Sequence, residues 1–250
     1  MLKINKYSLI KNAAVLGVAT LSLSLIATSS SFSDGHIYGE NNPVTVKGYK
    51  GSKTDSTAYT GQIARQLQHN SLKKIVSKGN PNDPSSNTLN KMMNYFENKD
   101  KAKTMAILDP KSSSKFPVKQ KIVGEISRGS NLAGKADERP QLSWPNNMSG
   151  ADVIRFMIKK ASKISGGVDM RNGMNYPQLI SKYTMGAVLY HQACDNYLDE
   201  KMTASNKPND KPYKKGAPYT GKEHSWDEAF GYWGAAAHTM TLSAKQSYDV

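Results

Sequence analysis

The chain has 250 residues, with 34 Lys and Arg against 20 Asp and Glu, a net charge of +14, and a hydrophobic share of 38%. A single cysteine, Cys194, excludes an internal disulfide, so a packed core must supply the stability. The lysines are scattered rather than massed in one block, which reads as solubility and argues against a nucleic-acid partner; among acidic partners, an anionic glycan and an anionic membrane surface stay open.

The first segment is MLKINKYSLIKNAAVLGVATLSLSLIATSSSFS. Lys3, Lys6 and Lys11 make a basic start, Ala13 to Ala27 is apolar and small, and small residues continue through Ser33. That is the layout of a secretory signal peptide over residues 1–33, with a cut after Ala27, Ser31 or Ser33. The apolar run falls short of the roughly 20 residues a membrane span needs, so no transmembrane span is expected after cleavage. No cysteine follows it to carry a lipid.

Residues 34–58, rich in Gly, Asn, Ser, Thr and Lys, read as an extended or disordered lead-in. The remainder, residues 59–250, reads as a single α-helical domain. In residues 57–81, Ile63, Leu67, Leu72, Ile75 and Val76 keep helical spacing until Gly79 and Pro81 stop it. A second helix is expected over residues 85–108, with Leu89, Met92, Met93 and Phe96 on its apolar face. Residues 109–117 read as loop; residues 118–127 suit a short helix or a strand, and helix is the expectation. Residues 128–150 form a loop long enough to suggest function. A helix then starts from a Ser149 cap and buries Val153, Ile154, Met157 and Ile158. The Asp169 and Asn172-Gly173 stretch reads as a turn, because its spacing is wrong for a calcium loop. The longest helix is expected from Tyr176 to Met202, with Tyr183, Ala187, Tyr190, Cys194, Tyr197 and Leu198 as its core stripe.

The last helix, residues 222–243, has two faces. Trp226, Ala229, Phe230, Trp233, Ala237 and Met240 make an apolar stripe. Opposite them stand His224, Asp227, Glu228, Gly231, Gly234, Ala235 and His238. Glycine costs about 1 kcal/mol against alanine inside a helix, so small residues there suggest that another backbone comes close. Glu223, His224, Asp227 and Glu228 would then line an interior polar site. Such a cluster can cap the helix, hold a divalent metal through His224 and Asp227, or do acid–base work. His191 and Asp195, four residues apart on the preceding helix, are either the second half of that site or a satisfied buried pair.

Three stretches resemble a known family: YTGQIARQL at 59–67, MGAVLYHQACDNYLD at 185–199 and EHSWDEAFGYWGAA at 223–236. They are similar to exported bacterial proteins catalogued as domain of unknown function 4856 and grouped with the imelysin-like (peptidase M75-like) proteins. The resemblance spans roughly residues 44–243. It implies an all-α, imelysin-like bundle of long antiparallel helices with long polar loops, in the periplasm or cell envelope. Imelysin-like proteins carry a G-x-H-x-x-E helix motif with a proposed metal or peptidase role; some relatives are linked to iron uptake and some bind polyanionic sugar. Carried over, His224 matches the motif His and Asp227 its acid. Lys222 stands where the motif Gly would be, and Asp replaces Glu, which weakens any transfer of peptidase activity. Longer relatives have a second bundle, so a short form or a C-terminally truncated chain is expected.

The first expectation is therefore an exported helical protein that is not an enzyme. It would bind a small ligand, a divalent metal or iron, or an anionic ligand, with His224 and Asp227 as metal ligands. Glu223, Glu228, His191 and Asp195 would be the further ligand-binding residues. An imelysin-type metallopeptidase and a structural envelope protein with no ligand or cofactor are the alternatives.

Overall fold

The computed structural model describes residues 43–83, 86–97, 104–108, 122–126, 131–140, 144–233, 243 and 245. Those from 43 to 233 fall in one unit, Asn41–Ala236; a second unit, Met1–Glu40 with Ala237–Asp249, contains only 243 and 245 of the described residues. The signal-like segment, the loop at 109–117, and Gly234, Ala235, Ala237, His238 and Met240 lie outside the described residues.

The fold is all-α. Its helices are α1 (Thr60–Val76), α2 (Asn87–Glu97), α3 (Val123–Ile126), α4 (Gly150–Ser162), α5 (Tyr176–Thr184) and α6 (Gly221–Trp233). Two π-helical segments, π1 (Met185–Tyr190) and π2 (Gln192–Lys201), continue α5. The strands β1 (Val168–Asp169) and β2 (Met174–Asn175) pair only as a two-residue antiparallel hairpin, and Gly173 turns between them with φ +73°. Asp169 and Asn172 accept the backbone N–H groups of Arg171 and Met174 there, so the stretch is a turn as its spacing suggests. Among the described residues no helix is long and apolar enough to cross a membrane.

Local signals account for several helix ends. Ser149 caps α4 in a reciprocal box with Asp152, and Lys159 and Lys160 close its last turn against the helix dipole. Beyond α1, Gly79 meets the end of α4 so closely that a Cβ would lie 2.1 Å from the carbonyl oxygens of both Ala161 and Ile164. Only glycine fits where the two chain ends meet. The core joins Leu72, Ile75 and Val76 of α1 to Met92 and Phe96 of α2, Val153, Ile154 and Ile158 of α4, and Ile180 of α5. Cys194 packs partly buried against this cluster as a free thiol.

Two expected stripes are corrected. Past Thr184 the rod widens, so each residue turns less about the axis than in an α-helix and the 3.6-residue spacing slides off the core. Val188, Leu189 and Ala193 are buried with Ala187 and Tyr197, while Tyr190 and Leu198 are exposed. On α6 the expected apolar stripe is split: Ala229 is buried in the core and Phe230 packs edge-on against Tyr59, but Trp226 is 52% and Trp233 73% exposed. Asp227, Gly231 and Tyr232 are buried instead, because this side packs on α1 and the residues before it. Here the small, polar face is buried too.

Candidate functional site

The long loop before α4 does not hang free. Its 3-10 turn, Ala133–Lys135, is tied to π2 by Gln192, whose Nε2 donates to the Lys135 carbonyl at 2.9 Å. Asp137 donates its N–H to the Ala187 carbonyl of π1 at 2.7 Å, and its own carbonyl accepts from Gly150 N at 2.9 Å. Trp144 then packs edge-on against Phe156 of α4 and Tyr183 of α5, with ring centroids 5.8 Å and 6.3 Å away. Asp137 is thus held by its backbone beside the π segments.

Its side chain meets theirs. Arg139 donates Nε to Asp137 Oδ1 at 2.9 Å and Nη2 to Asp137 Oδ2 at 2.8 Å, a two-pronged pair. Arg139 N also donates to Asp137 Oδ1 at 2.9 Å, closing a tight local turn. The same Nη2 reaches Asp195 Oδ2 at 2.5 Å, and His191 Nδ1 lies 3.0 Å from that oxygen. Hydrogen bonds from Arg139 hold the Asp137 carboxyl down at about 2, and the Asp195 carboxyl is lowered by His191 and then by Arg139. Arg139 itself is raised by both carboxylates, although its side chain is 68% exposed.

Asp137, His191 and Asp195 each offer one ligand atom, all within 4.8 Å of one another. Calcium–oxygen bonds of roughly 2.3–2.6 Å would span that distance as it stands. A zinc-like ion, with bonds of roughly 2.0–2.2 Å, would draw the ligands in by a few tenths of an ångström. One imidazole and two carboxylates suit first-row divalent ions as well as harder ones. Of this trio, residue reading had marked His191 and Asp195 but missed Asp137. The available signal was the length of the 128–150 loop, which carries Asp137 and Arg139 two positions apart.

The polar residues of α6 are placed differently. Thr220 and Glu223 form a reciprocal N-terminal cap: Glu223 Oε2 accepts from Thr220 N at 2.7 Å, and Thr220 Oγ1 accepts from Glu223 N at 3.2 Å. Glu223 Oε1 also accepts from Thr45 Oγ1 at 2.6 Å, which ties down the lead-in. Asp227 Oδ2 accepts Ala58 N at 2.8 Å, just before α1 begins, and Glu228 Oε1 accepts Gln62 Nε2 at 2.8 Å, inside α1. His224 packs against the rings of both Tyr213 and Tyr219, at centroid distances of 4.6 Å and 4.7 Å, with Glu228 3.7 Å from Nε2. Its buried Nδ1 has no hydrogen-bond partner. Among the described residues, His224 and Asp227 belong to no trio of metal-ligand atoms as tight as that around Asp137.

Burial lowers the pKa of His224 and also that of His69, whose Nε2 lies 3.0 Å from the Ser181 carbonyl. The unfolded chain takes up protons near pH 6.5 that these folded imidazoles resist, so both penalise the fold as pH falls below about 6.5. The melting temperature should therefore drop between pH 7.5 and 5.5, and His69→Gln or His224→Phe should each flatten that drop in calorimetry. An unchanged slope in both variants would show that these rings do not set it. Loss of the Asp137 carboxylate belongs to a separate, lower window: its stabilisation is present above about pH 4 and goes as pH falls toward about 2.

No curated protein and no solved structure matches this chain. A family model, described as Domain of unknown function (DUF4856), matches residues 38–248.

Proposed function

The chain belongs to the DUF4856 family, and from that premise and the geometry we propose that it is an exported binding protein for a divalent cation, held by Asp137, His191 and Asp195. The observation that carries this reading is the convergence of an imidazole and two carboxylates, from a loop, from the junction of π1 and π2 and from π2 itself, within one ion's reach. The leader-like first 33 residues support export, to the periplasm or cell envelope. Binding is favoured over peptide hydrolysis for a chemical reason. A metallopeptidase needs a carboxylate that takes a proton from metal-bound water. Both carboxylates of this group are spent as ligands to the cation, so neither is left to take that proton.

The test is calorimetric titration of untagged, chelator-stripped protein with Zn²⁺, Mn²⁺, Fe²⁺ and Ca²⁺. Wild type should bind at least one of these one-to-one. His191→Ala and Asp195→Asn should weaken binding at least tenfold, about 1.4 kcal/mol, without lowering the melting temperature by more than a few degrees. Absence of uptake of all four ions by the folded wild type would overturn the reading.

A further inference from the structure

We propose that Arg139 is the resident counter-ion of this group and that an arriving divalent cation displaces it, so that the exchange sets the affinity and selectivity of the site. The inference rests on the cation-binding reading above. The guanidinium already stands where the charge of an ion would be needed: one nitrogen, Nη2, touches Asp137 Oδ2 at 2.8 Å and Asp195 Oδ2 at 2.5 Å. A metal bonded to those oxygens would sit almost against that nitrogen. Two cations at such range, away from bulk water on one side, repel strongly, and one must leave.

Arg139 is the one able to move. Its side chain is 68% exposed, so the guanidinium can swing into solvent and be rehydrated. The loop need not follow it, because Asp137 stays fixed through its N–H to Ala187 and its carbonyl to Gly150. Gln192 keeps its hold on the Lys135 carbonyl. The ligands therefore remain in place while the plug departs. Charge balance favours the exchange for a divalent ion over a monovalent one. Two carboxylates against one guanidinium leave a net negative charge, which a divalent ion cancels. A monovalent ion would merely replace one positive charge by another and lose the guanidinium's two-pronged geometry.

The experiment measures Zn²⁺ and Mn²⁺ affinities of wild type, Arg139→Gln and Arg139→Lys by calorimetry at one ionic strength. It also follows the Arg139 Nε–H signal of ¹⁵N-labelled wild type as Zn²⁺ is added, with thermal melting of every variant as the check on folding. Arg139→Gln should bind about tenfold tighter than wild type, with Arg139→Lys in between. The Arg139 Nε–H signal should move to the position of a solvent-exposed arginine as the site fills. Equal or weaker affinity in a folded Arg139→Gln variant, or an unmoved Nε–H signal at saturation, overturns the exchange while leaving the cation site standing. No binding of Zn²⁺, Mn²⁺, Fe²⁺ or Ca²⁺ by wild type and both variants overturns the site itself, and the exchange with it. Should Arg139→Gln fail to fold, Arg139→Lys and the wild-type signal decide the matter on the same terms.

Discussion

Asp227→Ala should lower the unfolding free energy by about 3 kcal/mol, the largest loss expected from any polar substitution on α6. Asp227 is 4% exposed, and its Oδ2 accepts the Ala58 N–H at 2.8 Å. Ala58 lies immediately before Tyr59, the residue that caps α1. Alanine would strand that amide inside the protein, remove a negative charge from the positive end of α1, and release the link between the lead-in and α6. Asp227→Asn keeps an acceptor and should cost about 1 kcal/mol. A second readout follows from the Tyr59 hydroxyl, which burial and then the charge of Asp227 push up to about 12. In both variants it should titrate at lower pH by ultraviolet absorbance. Urea melts measure the stabilities, and cation binding at the Asp137 group should be unchanged in Asp227→Asn. If Asp227→Ala melted like wild type but lost its metal, the ion would sit on α6 and the reading of both clusters would have to be exchanged.

Gly231→Ala should destabilise the protein by about 2 kcal/mol, against the sign of helix propensity. In an exposed helix the same change would gain about 1 kcal/mol. Here the added Cβ would lie 2.5 Å from the Gln62 Cβ and 3.1 Å from both the Cβ and the carbonyl oxygen of Tyr59. These are atoms close to the backbone of α1 and its cap, so no side-chain rotation relieves the clash. The helices would have to part, and the bond from Gln62 to Glu228 would stretch with them. Gly61→Ala is the control: a Cβ there has nothing within 4 Å, so it should be neutral or slightly stabilising. Denaturant midpoints for the two variants should therefore move apart. If Gly231→Ala stabilised the protein, the close approach of α1 and α6 would not be a constraint on the fold.

These two residues also mark how far the residue pattern could be read. The small residues opposite the Trp stripe pointed to a close backbone, and Gly231 meets α1 in that way. The expectation of a core face on the Trp side holds at Ala229 and Phe230 and fails at Trp226 and Trp233, because hydrophobicity alone cannot tell which residues meet a partner. The polar face is buried as well since its carboxylates found partners: Asp227 the Ala58 amide and Glu228 the Gln62 amide, beside the Glu223 cap with Thr220. On the preceding rod the apolar spacing was read at an α-helical turn, and the π winding moved Tyr190 and Leu198 outward.

What the sequence by itself determined is what depends on near neighbours. The all-α class, the Ser149 cap, the stop at Gly79, the turn at Asp169 and Asn172, and the pairing of His191 with Asp195 four residues on are all of this kind. Each is decided within one or two turns of chain, where backbone geometry and side-chain reach are known in advance. Tertiary structure alone decided the candidate site and the role of α6. Arg139 meets Asp195 across 56 positions, and Ala58 meets Asp227 across 169. Such contacts depend on which helix faces pack together, and that follows from the sum of many burial and hydrogen-bonding terms over the whole fold, of which no local pattern carries more than a part.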